Sequence, residues 1–527
     1  MHIRIIILIF ILSMGKRSHA QLYFNERNAY HSYASVLSNV VPKDGKYYCA
    51  GFVLDSVNAT FRLGIKYAIH NSIGEKERDT ILQLPSRELE AGSNNMISSG
   101  DGGWVIGATS YEANSSGSIM RMILLKMDSL GREVWYREYD KVFCTSSSTW
   151  FKLFDYKPIE HNQHLLLGRI KCATNAGWIL MKLDSNLDLI WQKQYNHAVY
   201  DNIGLKILPE ADGYMIAGGQ DNTNTNQRNF VSQAKLWKLD TAGNVLWTYE
   251  SNPAKLTNWA RDVVRTPDGG YVYCGQGDGH EYPYANPQQA GLEWKGWVEK
   301  IDVNRQVVWS KSTSTLYTNM DYNEWRVMRL LPSGDLMLAG GISGGMQQPD
   351  TLDRVYGGLM KLGGDGNIAW ARRYVAPDAD TGFIYRIYDM KIDGDGGFVI
   401  AGEATDGTSQ TPPVQQGWLL KVDSNGCMGP GDPQCWPLGL PQVAVAALRF
   451  SVYPNPVAGE LCIGSTGGNG AIAQVQVLDG WGRQVGHSAF SIPGTSCMAV
   501  TGWAPGIYFY RINQGGRLVQ QGSVIKQ

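Results

Sequence analysis

The chain has 527 residues, and its 47 lysines and arginines balance 48 aspartates and glutamates, so the formal net charge is −1. This balance argues against a protein that binds nucleic acid or an anionic membrane, and we predict no nucleic-acid partner. Gly (61), Trp (17) and Tyr (27) are abundant and charged residues make up 18%, which is typical of an all-β protein with tight turns and packed aromatic side chains. The length predicts more than one domain.

Residues 1–20 have the pattern of a secretory signal peptide. His2 and Arg4 precede an apolar run over residues 5–14, which is followed by Ser18-His19-Ala20. A basic start, a short hydrophobic segment and a small-x-small cleavage site are signals for export. The run is too short to span a bilayer, and no later stretch approaches 18 apolar residues. We therefore predict an exported chain without a transmembrane segment.

Ten residues that begin at position 238, KLDTAGNVLW, recur along the chain. The copies start at Lys126, Lys182, Lys238, Lys300, Lys361 and Lys421, with spacings of 56, 56, 62, 61 and 60. A second landmark precedes them, an Asp-Gly-Gly-aromatic pattern that ends in Gly, as in DGGWVIG at 101–107 and PDGGYVYCG at 267–275. With the weaker versions at 43–51 and 164–168, this second landmark has seven copies.

A period near 60 is too long for a leucine-rich or ankyrin repeat and matches one four-stranded propeller blade. The Asp-x-x-Gly corners indicate hairpin turns, because Gly accepts a positive φ, and the Trp that ends each copy is interpreted as a blade-packing residue. We predict a seven-bladed β-propeller over residues 21–428. The last copy lacks an outer strand after Gly426. We expect residues 21–27 to supply that strand, because an open blade edge is unstable.

The repeat resembles the secreted delta-60-like propeller repeats of bacteria across residues 41–426, a resemblance that implies a fold and little about activity. Two other propeller repeats share part of this pattern. The Asp box of sialidases keeps Asp and Trp five apart, whereas here they are seven apart and the preceding Ser is missing. The quinoprotein repeat shares the Asp, Gly and Trp, but its dehydrogenases usually have eight blades and adjacent cysteines. A redox propeller is kept as an alternative, and we predict no cofactor.

Beyond a Pro/Gly-rich linker at 429–447, residues 448–527 alternate apolar and polar residues and predict a small Ig-like β-sandwich. They resemble the C-terminal sorting domain of the bacterial type IX secretion system, and the alternative is an ordinary accessory module. The resemblance implies the secretion machinery as a partner and a secreted or surface-anchored location reached through the periplasm. The residues that carry it are Tyr453, Pro454, Asn455, Pro456, the turn from Leu478-Asp479 to Gly482 and Arg483, Gly506, Ile507, Tyr508 and Lys526.

Eight cysteines fit an oxidising compartment. We predict a disulfide between Cys427 and Cys435, which enclose a short Pro/Gly-rich loop, and Cys462 and Cys497 are placed to bridge the C-terminal segment. Cys144 and Cys172 are a weaker second pair. We predict no metal site, because no Cys/His cluster has metal spacing. The acidic stretches at 378–382 and 393–397 lack a full set of EF-hand ligands.

Most of the variable length falls in the loops between the second and third strands of each blade, for example 276–295 and 403–416, and long loops on a rigid scaffold often bind ligands. The inner strands begin on the same face. We predict that their aromatic and arginine residues bind a glycan or an acidic peptide there. In the alternative, the aromatic residues only plug the channel, and Arg261 and Arg386 pair with Asp262 and Asp389. The candidate ligand-binding residues are Trp259, Arg261, Trp325, Arg326, Tyr385 and Arg386.

The function predicted from the sequence is therefore a secreted or cell-surface binding protein. A second aromatic cluster, His280, Tyr282 and Tyr284, lies in one of the long loops. The competing hypothesis is a carbohydrate-active or other hydrolytic propeller that uses channel carboxylates. Its candidate residues are Glu324, Asp262, Asp389 and Tyr385, and the distance between two carboxyl groups would decide between retaining and inverting chemistry.

Overall fold

The computed structural model describes residues 23–28, 34–57, 60–84, 87–114, 117–139, 150–172, 175–195, 201–222, 231–251, 259–278, 294–312, 323–343, 355–376, 383–406, 415–429, 432, 450–465, 472–480, 482–514 and 517–527. This part of the chain contains 36 strands and one short 3-10 turn, Glu160–Asn162, so the predicted all-β class is confirmed. The chain divides into two compact units, residues 1–436 and 437–527. The expected signal peptide and nearly all of the expected linker lie outside the described residues.

The first unit is a seven-bladed propeller. Two short strands, β1 (Phe24–Asn28) and β2 (Ala34–Ser35), precede the first blade. Blades one to three contain, from the inner to the outer strand, β3 (Asn39–Lys43), β4 (Lys46–Val57), β5 (Thr60–His70) and β6 (Lys76–Leu82), then β7 (Glu88–Ser98), β8 (Trp104–Asn114), β9 (Gly117–Met127) and β10 (Glu133–Tyr139), then β11 (Trp150–Ile159), β12 (Gln163–Cys172), β13 (Asn175–Leu183) and β14 (Leu189–Tyr195).

The same four-stranded antiparallel order continues in the later blades. Blades four to six contain β15 (Asp201–Glu210), β16 (Gly213–Asn222), β17 (Val231–Leu239) and β18 (Val245–Glu250), then β19 (Trp259–Arg265), β20 (Tyr271–Asp278), β21 (Trp294–Ile301) and β22 (Val307–Ser312), then β23 (Asn323–Leu330), β24 (Leu336–Ser343), β25 (Val355–Leu362) and β26 (Ile368–Tyr374). Blade seven begins with β27 (Phe383–Ile392), β28 (Phe398–Asp406) and β29 (Gln415–Val422).

The fourth strand of blade seven is β1, which pairs antiparallel with β29 from Phe24 opposite Lys421 to Asn28 opposite Gly417. In blades two to six the Trp of each repeat lies opposite the Lys of the same repeat, as Trp247 lies opposite Lys238. Phe24 therefore occupies the position that Trp has in those blades. The observed strand is shifted from the expected residues 21–27 and is joined to the ring by its side chains as well, since the buried Trp418 indole N–H donates to Asn25 Oδ1 at 2.7 Å.

The repeated Asp shapes the turn after the third strand in five of the seven blades. Asp240 Oδ1 accepts the backbone N–H groups of Ala242 at 2.9 Å and Asn244 at 2.7 Å, and Asp128, Asp184, Asp302 and Asp423 make the equivalent pairs of bonds. Gly243 has a φ of +81°, which only Gly adopts without cost. The Asp and the Gly of the repeat are thus turn residues.

Three of the five repeat Trp side chains pack on a glycine turn of the next blade, whereas the corresponding turn residues for Trp135 and Trp247 are Leu187 and Arg305. A Cβ added to Gly243 would lie 2.9 Å from the ring of Trp191 in the preceding blade, and Cβ atoms at Gly366 and Gly426 would lie 2.6 Å from Trp309 and 2.7 Å from Trp370. Phe24 touches Gly74 of blade one in the same way. We call this contact the Trp–Gly joint. It buries aromatic area between blades, and therefore one motif both builds a blade and fastens it to its neighbour.

The two repeated landmarks also meet within a blade. The repeat Lys pairs with an acidic side chain from the turn between the first and second strands, as Lys300 does with Asp268 at 2.5 Å. The equivalent pairs are Lys126 with Asp101, Lys238 with Asp212, Lys361 with Asp335 and Lys421 with Asp395. The Lys300 ammonium and the Thr266 hydroxyl lower the pKa of Asp268 to about 2. Blades two, four, five, six and seven share this ion pair.

Replacing Gly243 with Ala is expected to destabilise the propeller more than the same change at Gly396. Both residues have a φ of +81°, so both variants carry the cost of a left-handed Ala, about 1–2 kcal/mol. Only Gly243 touches an aromatic ring, whereas a Cβ at Gly396 meets nothing within 4 Å. In Gly243→Ala, the new methyl group would clash with Trp191, and we expect this overpacking to cost a further ~1–3 kcal/mol in the free energy of unfolding. Thermal denaturation of the two variants measures the difference, and equal melting temperatures would refute the joint.

The second unit is a β-sandwich, as predicted. Its strands are β30 (Phe450–Tyr453), β31 (Glu460–Ser465), β32 (Ile472–Leu478), β33 (Gln484–Ser491), β34 (Gly494–Ala499), β35 (Gly506–Gln514) and β36 (Arg517–Lys526). One sheet has the order β30-β31-β34 and the other the order β33-β32-β35-β36, and apolar side chains such as Leu461, Val477 and Ile512 fill the space between them. The unit therefore has a hydrophobic core of its own.

The described cysteines are of two kinds. Cys462 and Cys497 face each other on β31 and β34 and form a disulfide. Cys427 is also disulfide-bonded, whereas Cys435 lies outside the described residues, as do Cys144 and the side chain of Cys172. Cys49 and Cys274 are free and buried.

Candidate functional site

Each inner strand from blade two to blade seven carries a β-bulge near its middle. The register shifts between Ala91 and Met96, Leu153 and Asp155, Gly204 and Lys206, Ala260 and Asp262, Trp325 and Val327, and Ile387 and Asp389. A bulge leaves a residue without a partner on the neighbouring strand and redirects its side chain. In blades three to seven this bulge residue is Phe154, Leu205, Arg261, Arg326 and Tyr388, and in blade two it includes Asn94.

In five of the seven blades a residue that ends or follows the bulge, or Asn39 in blade one, ties the blade to the next one. It is a buried Asn or Asp whose side-chain oxygen accepts a backbone N–H from the inner strand of the following blade. The bonds run from Asn95 N to Asn39 Oδ1 (2.5 Å), Tyr156 N to Asn95 Oδ1 (2.9 Å), Ile207 N to Asp155 Oδ2 (2.8 Å), Met328 N to Asp262 Oδ2 (2.9 Å) and Val40 N to Asp389 Oδ2 (3.0 Å). Asp262 and Asp389, candidates for the hydrolytic hypothesis, therefore hold the ring together.

Four cations neutralise the three aspartates inside the channel. Lys157 and Lys206 bind Asp155, Arg329 bridges Asp262 and Asp389, and Lys391 binds Asp389. Burial alone would raise the pKa of Asp155, but the two ammonium groups lower it below its usual value. Burial lowers the pKa of Lys157 to about 8 despite its aspartate partner. With four cations against three anions, this layer leaves the channel with a positive charge.

The bulge residues converge on one cavity of about 290 Å³, which we call the channel cavity. It lies toward the starts of the inner strands, the end at which the long interstrand connections are also attached. Its lining combines cationic side chains with polar and apolar ones, and among the described residues it contains one carboxylate, that of Glu90. The lining includes Glu90, Asn94, Thr109, Lys152, Phe154, Leu205, Lys206, Arg261, Arg326 and Tyr388.

A buried carboxylate fixes two of the arginines. Arg261 Nε lies 2.7 Å from Glu324 Oε1 and Arg326 Nε lies 2.6 Å from Glu324 Oε2, and Glu324 is 1% exposed. Arg326 stacks over the ring of Tyr388 at 4.9 Å and Arg261 over that of Trp259 at 5.5 Å. Their side chains are 25% and 28% exposed. One buried anion therefore orients two cations at the cavity wall.

A second charged group lies on the opposite side of the ring, in blades two and three. Lys152 Nζ is 3.0 Å from Glu90 Oε1, and the Tyr111 hydroxyl donates to Glu90 Oε2. Burial and the neighbouring Glu90 carboxylate raise the pKa of Tyr111 well above its usual value, so this hydroxyl keeps its proton at neutral pH. The Glu90 carboxylate is thus engaged by two donors.

The six candidate ligand-binding residues do not form one site in the structure. Arg261 and Arg326 line the channel cavity, and Trp259 supports Arg261. Trp325 and Tyr385, 1% and 2% exposed, lie in hydrophobic clusters of the blades and not in the channel. Arg386 binds Glu403 at 2.8 Å and is not among the lining residues. The alternative pairing of Arg261 with Asp262 and of Arg386 with Asp389 is wrong, because both arginines bind glutamates instead. His280, Tyr282 and Tyr284 lie outside the described residues.

The sequence contains a signal that would have found the cavity residues. In each blade the turn after the inner strand has a residue with positive φ, namely Gly102, Asn162, Gly213, Gly269, Gly334 and Gly396 in blades two to seven. Counting back eight positions gives Asn94, Phe154, Leu205, Arg261, Arg326 and Tyr388, all of which line the cavity. Trp325 and Tyr385, which the aromatic pattern suggested, do not lie eight positions before the positive-φ residue of their turns.

In the C-terminal unit, several predicted sorting residues form hydrogen bonds, and Asn455, just after the first strand, connects to the last strand. Asn455 Oδ1 accepts the Ile525 N–H at 2.9 Å, and Asn455 Nδ2 donates to Ser523 O at 3.3 Å. Asp479 accepts the backbone N–H of Arg483 at 3.0 Å and the Arg483 Nε–H at 2.8 Å across a turn in which Gly482 has a φ of +79°. The Tyr508 hydroxyl donates to Ala504 O at 2.8 Å. Tyr453, Pro454, Pro456 and Gly506 lie in the same unit.

Residues 451–527 match the family profile described as a secretion system C-terminal sorting domain. The C-terminal unit is a type IX sorting domain. This sorting domain implies the type IX machinery as a partner and a secreted or surface-attached protein. No helix among the described residues is long and apolar enough to cross a membrane.

Solved structures similar to this chain belong to diverse proteins. They include the β-propeller domain of the trilobed protease from Pyrococcus furiosus (9% identity, TM-score 0.39, covering 77% of this chain and 99% of that chain). The polysaccharide lyase Uly1 (7% identity, TM-score 0.42, 78% and 94%) and a GH32 β-fructofuranosidase from Bombyx mori (10% identity, TM-score 0.31, 76% and 90%) are also similar. Values this low carry no argument about activity. A sequence comparison with curated proteins finds no match.

Proposed function

We propose that the protein is a secreted or surface-attached binding protein whose propeller holds an acidic glycan in the channel cavity. An N-terminal signal peptide brings the chain to the periplasm, and the sorting domain directs it across the outer membrane. The resemblance of the repeat to delta-60-like secreted propellers supports the same extracellular setting.

The observation that carries the proposal is the pair Arg261 and Arg326 on one buried Glu324. A guanidinium presents several N–H groups in a fixed plane and suits a carboxylate or sulfate group of a ligand. Because both Nε atoms are held by Glu324 and both planes rest on aromatic rings, little side-chain entropy is lost when a ligand binds. The wall is therefore preorganised for an anion.

The size and the lining of the cavity favour a glycan over a protein surface. A volume of about 290 Å³ admits one sugar unit and not a folded domain. Asn94, Thr109 and Lys152 offer hydrogen-bonding groups for hydroxyls, and Phe154 and Leu205 offer apolar area for the face of a sugar ring. An acidic peptide terminus is the competing ligand, and the experiment below distinguishes the two.

Arrays of acidic and neutral glycans, with acidic peptides on the same slide, test the proposal on the full mature chain. We expect binding to acidic glycans, and we expect Arg261→Met and Arg326→Met to weaken it about tenfold each, which corresponds to about 1.4 kcal/mol. Arg386→Met is the matched control, because Arg386 is also ion-paired and partly exposed but does not line the cavity. Binding to acidic peptides alone, or an equal loss in the control, would refute the glycan proposal.

A further inference from the structure

Blade three departs from the ion pair that the other repeats share. In five blades the repeat lysine binds an acidic residue of the turn between the first and second strands. Blade three keeps the lysine, Lys182, but its turn reads IEHNQH at 159–164. In the part of the chain that the structure describes, Lys182 forms no ion pair or hydrogen bond. Its half-buried ammonium is therefore available to a ligand.

The residue that replaces the acid is His161. His164 opens the second strand of blade three and lies opposite Leu183, as Tyr271 lies opposite Ile301 in blade five. Asp268 is three residues before Tyr271, and His161 is three residues before His164. The repeat thus has a histidine where blade five has the carboxylate that binds Lys300. His161 has a φ of +61° and is exposed.

A cleft is present at this place, between blades three and four, and we call it the Lys182 cleft. Its volume is about 490 Å³. Lys182 and His161 line it, together with apolar side chains and the polar groups of Glu160, Gln163 and Thr241. The apolar lining residues are Pro158, Ile159, Pro209 and Ala211, and the buried Tyr214 also lines the cleft. The cleft lies at the ends of the inner strands, whereas the channel cavity lies toward their starts.

The buried carboxylate of the cleft, that of Glu210, is already neutralised. Glu210 binds Lys238 at 2.6 Å and Arg265 at 3.2 Å, and it accepts the Tyr271 hydroxyl at 2.9 Å. Glu210 therefore leaves Lys182 uncompensated. Glu160 is an exposed carboxylate of the lining, placed to accept hydrogen bonds from hydroxyl groups.

We propose that the Lys182 cleft binds a small hydroxylated carboxylate, such as an acidic monosaccharide. Lys182 binds the carboxylate, because its ammonium is the one cation of the repeat set that lacks its usual acid among the described residues. Glu160, Gln163 and Thr241 hydrogen-bond the hydroxyls, and the proline and isoleucine side chains cover the ring carbons. The site is separate from the channel cavity and does not depend on the function proposed for it.

Titration of the full mature chain with glucuronate, followed by calorimetry and by NMR of the ligand, tests this site. Glucose and inorganic phosphate are the comparison ligands, since glucose lacks the carboxylate and phosphate lacks the hydroxylated ring. We expect glucuronate to bind at least about tenfold more tightly than either. Equal binding of glucose would refute the role of Lys182, and equal binding of phosphate would refute the organic ligand.

Two variants locate the site, and a third is the control. Lys182→Met removes the cation, and His161→Asp supplies Lys182 with the acid found in other blades, so both are expected to reduce binding by at least about tenfold. His161→Asp restores the common ion pair and is therefore expected to fold normally. It tests the site even if the Lys182→Met variant fails to fold. Lys361→Met, at the equivalent lysine of blade six, lies outside both cavities and should leave the affinity unchanged. Unchanged binding in both site variants, or an equal loss in Lys361→Met, would overturn the assignment.

Discussion

Removal of residues 21–28 is expected to lower the melting temperature of the propeller by roughly 5–10 °C. Blade seven would lose its fourth strand, the buried Phe24 side chain would leave Gly74 of blade one, and the Trp418 N–H would lose its acceptor on Asn25. Loss of a buried Phe costs about 3–5 kcal/mol, and each kcal/mol shifts the melting temperature of a large domain by a few degrees at most. Differential scanning calorimetry of the mature chain measures the shift.

Point variants in the same strand distinguish the effect of ring closure on stability from the effect of shortening the chain. Phe24→Ala removes the side chain that stands in for Trp and should account for most of the shift. Glu26→Ala changes an exposed residue of the same strand and should leave the melting temperature unchanged. An unchanged melting temperature after the deletion, or equal shifts for the two point variants, would show that β1 does not close the ring.

Removal of residues 448–527 is expected to abolish appearance of the protein outside the cell, with the propeller retained in the periplasm. The sorting domain has its own two sheets, its own core and its own disulfide, so the truncation removes a whole unit and leaves the propeller blades intact. Immunoblotting of medium, cell surface and periplasm in a host with type IX secretion measures the distribution. Release of the truncated chain into the medium would contradict the prediction.

A gain-of-function fusion and a point variant complete the export experiment. Fusing residues 448–527 to an unrelated periplasmic protein should carry that protein to the surface or into the medium. Asn455→Ala removes the two hydrogen bonds to the last strand and should reduce export of the full chain. Arg386→Met, in the propeller, is the control that should be exported like the unaltered chain.

The architecture of the propeller could be predicted from the sequence because the repeated motif marks the same turn in successive blades. The Asp that accepts turn N–H groups, the turn residue at positive φ and the Trp keep a fixed spacing, and each of the three is present in most blades. The missing outer strand after Gly426 indicated that an N-terminal segment completes the last blade. The partner of the repeat Lys was not predicted, because Lys300 and Asp268 are 32 positions apart and meet only when the blade folds.

The candidate site was predicted only in part, because β-bulges interrupt the alternation of side chains along the inner strands. Trp325 precedes the bulge residue Arg326 directly, whereas Tyr385 is three positions before Tyr388, so the two aromatic residues are not equivalent. Glu324 was considered as a catalytic acid and proved to be the anchor of two arginines. A pattern of period two cannot show where an extra residue is inserted.

The Trp–Gly joint has a consequence for how such a chain can change over evolutionary time. Blade six carries both halves of the contact, the Trp370 ring on one flank and the Gly366 turn on the other. A duplicate of such a repeat would therefore meet either neighbour through a surface that already fits. Gain or loss of a blade requires no new interface, and only the circumference and the width of the central opening would have to adjust. The number of blades in this kind of protein can thus change under selection without changes in the residues that hold the ring together.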